Sequence, residues 1–444
     1  MANVIKLRKG LNINLNGKAL PEVKTAAQSR VYGLVPDSFV GVKPKVVVRE
    51  GDIVKAGDAL FTDKLHPEVC FTSPVSGKVV QVERGDRRKV LSIQVEADEE
   101  QQYVDFSKEV PDSKDAALQI LLKSGLFGYM LQRPYAVTCS PDDCPKGIYV
   151  SLFNDMPLAQ DFSIVLKGEE QNLQTGIDVL NKIAKVYVGT NRQMAKQCSQ
   201  LKNCEITTFV GKCPAGNVGV QINHISPVNK GELVWTLGAE EVLFIGRLFN
   251  TGHLDLTRTL AVAGEVENPC YVKAKVGAQI NDIIVNAKAK SNTVLIDGNP
   301  LTGAETTQNS FLSAHSTEVT AIIDGSNANE LFGWIMPRFK QFSVSRTYFS
   351  WLCNKKSYSL DNRIKGGHRH MIFSGEYEKV FPMDIYPEQL IKAIIAGDID
   401  KMEALGIYEV APEDFALCEF VDSSKLELQR IVREGLDMLR KENS

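Results

Sequence analysis

The sequence predicts a multidomain α/β protein on three observations. Residues 43–95 alternate apolar and polar positions between glycines, as the strands of a small all-β unit do. Residues 136–249 alternate short β-branched runs with helical patterns, which argues a parallel sheet with helices on both faces. Towards the C-terminus the composition turns helical, with apolar residues at i, i+3, i+4 and i+7 in PEQLIKAIIAGDIDKMEALG and SKLELQRIVREGLDMLRKE. A chain of 444 residues is too long for one core, and at roughly 150 residues per domain about three units are expected. A polar linker at 97–115, the onset of helical composition beyond about 325 and the motifs of the separate modules place four, at residues 1–105, 106–255, 256–328 and 329–444.

Hydrophobic residues at 43% and charged residues at 24% are ordinary for a folded protein and exclude a disordered or collagen-like chain. The net charge of -3, with Lys and Arg dispersed, lacks the concentrated basic face that nucleic acid requires. Residues 1–15 are basic but have no apolar core or small-residue cleavage site, so no secretory signal is read there. The longest apolar stretches, at 241–249 and 319–323, are strand-sized, well short of the roughly 18 residues of a spanning helix. Membrane contact is therefore expected through a partner. The nine cysteines are odd in number and scattered, which fits reduced thiols rather than a disulfide framework.

Taken in order, the first unit carries EGDIVKAGD and TSPVSGKVVQVERG, which resemble the biotinyl/lipoyl family, a flattened barrel of two folded-over halves. Carriers of that family hold their prosthetic group on a lysine at a hairpin tip, so Lys64 is the residue to weigh. Leu65, His66 and Pro67 follow it and stiffen the loop, and the module is read as structural. Residues 97–115 form an acidic, polar linker, and a helix over 115–124 ends at Gly125. Next come GIYVSLF and FSIVL as strands, the helix QNLQTGIDVLNKI, the strand AKVYVGT, a helix near 192–201 and the strand ITTFVG. In PAGNVGVQINHI, Gly216 and Gly219 give a Gly-x-x-Gly spacing that is a weak phosphate signal, and they are read as a turn into a strand VGVQI, with His224 in a loop. TLAVAGEVENPCYVKAKVGAQINDII resembles the soluble-ligand-binding β-grasp (SLBB) module, with Cys270 where that family has glycine.

A Rossmann-like layer, a β-grasp module and a helical tail in this order look like the NADH-binding flavoprotein of complex I and the C component of the Rnf complex, which carry FMN and iron-sulfur clusters. Their phosphate loop is a dense glycine run, because only glycine lets backbone amides close on a phosphate. Here SGLFGYMLQRPYAV sets Phe127 between Gly125 and Gly128, and SLFNDMPLAQDF offers Asn154 and Asp155 but no glutamate. A cubane needs four thiolates, usually with a CxxCxxC run, and Cys418 has no second cysteine after it. Cys139 and Cys144 have no second pair at zinc-like spacing. No cofactor and no metal are expected on this chain.

The whole combination, with IKLRKGLNINLNGK, PAGNVGVQINHISPVNKGELVW and GGHRHMIFSGEYEKVFPMDIYP, resembles the A subunits of the bacterial Na+-translocating NADH:quinone oxidoreductases. The resemblance implies a peripheral component on the cytoplasmic face of the inner membrane, assembled with the B to F subunits and chiefly with the membrane-embedded B component. It implies NADH oxidation, ubiquinone or menaquinone reduction and Na+ export by the complex, with FMN, riboflavin, FAD and iron-sulfur on other subunits. The chain alone is not expected to be catalytic. Two other classes stay open: a flavin-dependent NADH dehydrogenase of Rnf or complex I type, and a lipoyl/SLBB-type binding adaptor.

A candidate site lies at residues 345–387, where RTYFSWLCNKK and NRIKGGHRHMIF interleave aromatics with Arg346, Lys355, Lys356, Arg363, Lys365 and Arg369, beside His368 and His370. A quinone site needs an apolar slot and a donor such as His, Tyr or Arg for the carbonyls. With Trp351, these residues form a candidate partner interface or quinone contact, a solvated basic loop being the bland alternative. His-x-His also suits a metal, but no third ligand is visible.

Overall fold

The structure is a computed structural model that describes residues 3–326, 328, 330, 332–333, 335–352 and 357–443. Alternation over residues 43–95 does produce a barrel-sandwich. A four-stranded antiparallel sheet (Val31–Leu34, Val90–Ala97, Gly77–Arg84, Ile53–Val54) faces a three-stranded one (Pro44–Val46, Ala59–Asp63, Cys70–Thr72). Leu60, Phe61, Phe71, Val79, Ile93 and Val95 are buried in the core of this unit, with Phe61 and Phe71 stacked at 4.4 Å. Lys64 is exposed in the 64–69 connection, its backbone N–H donating to Lys43 O at 2.9 Å.

The helix Lys114–Ser124 opens on Ser113, which accepts from Ala116 N, and stops at Gly125, whose φ of 81° lies in the left-handed region glycine favours. The central sheet follows in the order Asn3–Lys6, Glu205–Val210, Val186–Thr190, Ile148–Ser151, Val234–Gly238, Leu131–Arg133, Val137–Thr138. Its first five strands are parallel and the last two antiparallel. The helices Glu170–Ile183 and Ala239–Thr251 pack almost backbone to backbone, so that a Cβ on Gly246 would overlap Asn172 O.

Three local readings are corrected. FSIVL is one helical turn, Phe162–Val165, because Asp161 accepts from Ser163 N at 2.9 Å and caps it. VGVQI opens the helix Val218–Ile225; Val218, Ile222 and Ile225 recur at i, i+4 and i+7, and so short an apolar run fits either period. His224 is accordingly on a helix, with Nδ1 2.9 Å from Val220 O. The apolar run at 241–249 is helical as well, buried on nearly every side.

A six-stranded mixed sheet comes next, ordered Ala304–Thr306, Thr293–Asp297, Glu318–Ile323, Thr257–Gly264, Cys270–Lys275, Val23–Thr25. The N-terminal segment thus supplies an edge strand to each of two sheets, and Leu15 forms a bridge to Tyr358 between them. Pro387–Ala396, Ile399–Ala404, Ala416–Val421 and Leu428–Glu442 build the C-terminal helical region, around Leu390, Ile391, Val432 and Leu436. From residue 326 to 376 the described residues are mostly irregular, with a single 3-10 turn at Phe349–Leu352. Among the described residues no helix is long and apolar enough to cross a membrane.

Candidate functional site

The irregular segment and the C-terminal helices enclose a cleft of about 790 Å3, within the roughly 300–1,000 Å3 range of small-molecule sites. The Ala416–Val421 helix and the start of Leu428–Glu442 present Glu419, Phe420 and Gln429. Opposite them, Phe342 sets its ring 5.8 Å from Phe420 and edge-on to Tyr358 at 5.5 Å. Leu301, Leu360 and Leu426 extend the apolar lining.

Charged groups complete the cleft. Asp361 accepts from Arg363 Nη2 at 2.7 Å and from Lys365 Nζ at 3.0 Å, and Arg363 also pairs with Glu330 at 3.2 Å. Burial would raise the Asp361 carboxyl, but the hydrogen bonds from Arg363 and Lys365 outweigh it and hold the group below its ordinary value. Glu419 goes the other way: burial pushes it up, although the Gln429 backbone N–H donates to it at 2.9 Å. An apolar slot therefore holds a guanidinium, an imidazole (His368) and an easily protonated carboxyl. Such groups can hold a carbonyl and deliver protons to it.

The structure divides the six expected site residues. Arg363 and His368 line the cleft. Arg346 lies over the Trp351 ring at 5.6 Å, and both are exposed beside the cleft rather than in its lining. Arg369 and His370 are tied through backbone, Arg369 N–H donating to Ser424 O at 2.9 Å and Ser424 Oγ donating to His370 O at 3.0 Å, while the residues themselves are exposed. Lys355, Lys356 and Cys353 lie outside the described residues. Phe332, Phe349, Leu352, Ile364 and Phe373 add exposed apolar surface to the same region. Glu419, Phe342 and Phe420 were missed from the sequence. The available signal was a lone charge within the otherwise apolar helix ALCEFV.

Elsewhere, the Gly125 and Gly128 loop is packed against the barrel. A Cβ on Gly125 would meet Thr72 Oγ1 at 2.5 Å, and one on Gly128 would meet the Phe71 ring at 2.5 Å. Phe127 is fully buried against Trp235, with ring centroids 5.6 Å apart. Gly216 donates its N–H to Asp155 Oδ1 at 3.1 Å. Gly219 leaves room for Asp414, whose Oδ2 accepts from Arg133 at 3.0 Å. Both glycines serve internal packing and hydrogen bonding. Cys418 is wholly enclosed and burial pushes its thiol well up. Cys139 is buried, whereas Cys144 is exposed beside Lys114 Nζ at 3.0 Å. Among the described residues no group of three or more His, Cys, Asp or Glu is placed to hold a metal ion.

Comparison with known proteins adds to this geometry. Family models described as the NqrA N-terminal barrel-sandwich hybrid domain and the NqrA second alpha/beta domain match residues 5–98 and 113–254. The chain is 33% identical over 447 residues to a Yersinia pestis protein named as the A subunit of Na(+)-translocating NADH-quinone reductase, covering 99% of this chain and 100% of that one. A protein of the same name from Haemophilus influenzae is 34% identical over 448 residues, at the same coverage of both chains. A solved structure of an NAD+-reducing NiFe-hydrogenase aligns with 14% identity and a TM-score of 0.34 over 48% of this chain and 47% of that one, too loosely to carry an argument.

Proposed function

Because this chain belongs to the NqrA family, the A subunits of Na(+)-translocating NADH-quinone reductase, we propose that it is a peripheral, non-catalytic component of such a complex, one that helps form its quinone site. In this reading the complex oxidises NADH, reduces ubiquinone or menaquinone and exports Na+. The chain sits on the cytoplasmic face of the inner membrane against the B to F subunits, chiefly the membrane-embedded B component. FMN, riboflavin, FAD and the iron-sulfur centre sit on those other subunits. The observation that carries the quinone reading is the cleft in which Phe342 and Phe420 share a lining with Arg363, His368 and Glu419. A flat ring can slide between apolar walls there while its carbonyls meet donors. The exposed aromatic and basic surface around Trp351 and Arg346 supports docking, since aromatics and arginine are the residues enriched at interface centres.

The test is photolabelling of the purified complex with a photoreactive quinone that competes with the natural one. Label on residues 342–348 or 416–429 of this chain is the expected result. Label confined to other subunits would remove the quinone role and leave only the docking role.

A further inference from the structure

The cleft between the irregular segment and the C-terminal helices has an apolar rim. Val344, Tyr348 and Ile364 line it, yet Val344 and Ile364 also stand in solvent, Ile364 at 60% exposure. The neighbours of Ile364 show why. Arg363 and Lys365, on either side of it, both fold back onto Asp361, at 2.7 and 3.0 Å, and the isoleucine between them is left facing outwards. Phe349, next to Tyr348 in sequence, is exposed with its ring 6.2 Å from that of Phe339, which is exposed too. Beside Phe339, Arg338 is also turned away from solvent: its guanidinium lies over the Tyr348 ring at 5.5 Å and pairs with Glu330.

Here charged side chains are engaged with one another while large apolar ones stand in water, the reverse of an ordinary surface. Among the described residues, close to half of the large apolar side chains exposed to solvent fall within residues 332–373. Apolar surface concentrated in this way marks the seat of an apolar ligand or partner. Position decides what covers the rim. Val344, Tyr348 and Ile364 share one cleft with Phe342, Phe420 and His368, so the group lying on them continues whatever occupies the cleft. A small polar substrate would be met at the mouth by polar groups. A ring that carries a long hydrocarbon substituent needs the arrangement seen, with donors inside and bare apolar surface at the exit.

We propose that the rim of Val344, Tyr348 and Ile364, continued over Phe349 and Phe339, seats the isoprenoid tail of a quinone whose ring lies in the cleft. The inference rests on the quinone reading above and deepens it: the cleft selects its ligand by the tail as well as by the ring. Trp351 and Arg346, outside the lining, stay with the docking surface. A fully buried methylene tightens binding about fourfold. A five-carbon prenyl unit covered on one side by the rim therefore adds at least about tenfold.

The experiment irradiates the purified complex with two photoreactive forms of the quinone it reduces, one with a diazirine on the ring and one with it on the second prenyl unit of the tail. The expected result is ring label at Phe342, His368 or residues 416–429 and tail label at Phe339, residues 344–349 or Ile364, both lost with excess unmodified quinone. Ring label in the cleft with tail label elsewhere overturns the tail assignment and leaves the quinone reading standing. Ring label outside the cleft overturns both. Kinetics of the complex give an independent reading. Phe349→Ser combined with Ile364→Ser should raise KM at least about tenfold for a quinone with two prenyl units and less than about twofold for the same ring without a tail, at an unchanged melting temperature. An equal effect on the two quinones, or none, overturns the proposal. Should the variant fail to assemble, the positions of the two labels decide.

Discussion

The Arg258 guanidinium donates to the Glu241 carboxylate at 2.5 Å, with both side chains almost completely removed from solvent. Arg258 also reaches Glu240 at 3.2 Å and the Ala314 carbonyl, so one cation from the mixed sheet is shared between two acids on a helix of the central layer, and burial still holds Glu240 above its ordinary value. Burial alone would raise Glu241, but Arg258 and then His315 outweigh it and hold this carboxyl at about 2. Removing the cation leaves uncompensated buried charge, so Arg258→Met should lower stability by about 3–5 kcal/mol in urea unfolding at neutral pH. The sign of the pH effect separates this cause from lost packing. In the wild type Glu241 is depressed on folding, so its contribution is present above the ordinary carboxylate range and fades as pH falls towards 2. The variant should instead gain stability on acidification from pH 7 to about 5, because protonation relieves its stranded acids. A variant that loses stability over that interval would refute the account.

Glu318 is 2% exposed, and burial raises its carboxyl to about 7 even though Thr317 Oγ1 donates to it at 2.6 Å. Its folded value lies above its unfolded one, so its stabilising effect is complete below the ordinary carboxylate range and is lost as pH rises through about 7. Relative to wild type, Glu318→Gln should therefore gain about 1–3 kcal/mol between pH 5 and pH 8, since only the wild type loses stability as its carboxyl ionises on unfolding. Melting curves at the two pH values check this.

Gly128 faces Phe71 so closely that a Cβ would sit 2.5 Å from the ring. Gly128→Ala should cost about 1–3 kcal/mol through overpacking, and Phe71→Leu in the same chain should recover part of it, since the conflict lies between those two side chains. A double-mutant cycle by denaturation measures the coupling. Additive effects would show that the loop glycine is needed for some other reason.

Trp351 and Arg369 are exposed on the side of the chain assigned to docking. Alanine at both should release the protein from membranes at lower salt than wild type without changing its melting temperature. Arg369→Ala alone should mainly increase salt sensitivity, since an exposed charge acts through screened attraction, worth about 1 kcal/mol if it lies near anionic lipid headgroups. Salt washes followed by immunoblot read the outcome, and retention of the double variant at wild-type salt would overturn the assignment.

Elements whose signal is local were legible in the sequence. The barrel strands show period-two alternation, the Lys114–Ser124 helix stops at a glycine, and the Leu428–Glu442 helix keeps its apolar stripe. Five-residue runs were not legible, because VGVQI and FSIVL satisfy helix and strand spacing alike and long-range packing decides between them. The candidate cleft was half visible. Arg363 and His368 stood out by residue type, whereas Phe342 and Glu419 acquire meaning only from the residues the fold brings beside them. Arg258 had a faint signal, a charge inside TRTLAVAG, but its partners lie on a preceding helix that no spacing rule connects to it.

Residues 3–25 supply edge strands to two sheets, pairing with Glu205–Val210 and Cys270–Lys275. During synthesis each of these two strands leaves the ribosome before its mate, and waits for some two hundred residues or more until that mate exists. At roughly 5–20 residues per second the wait lasts on the order of ten seconds or longer. The barrel of residues 31–97 can close in that interval while these two strands are still without their mates, their unpaired edges open to misplaced pairing. Asn3–Lys6 and Val23–Thr25 therefore act as stitches drawn tight late in assembly, and their pairing reports that the later units have already folded.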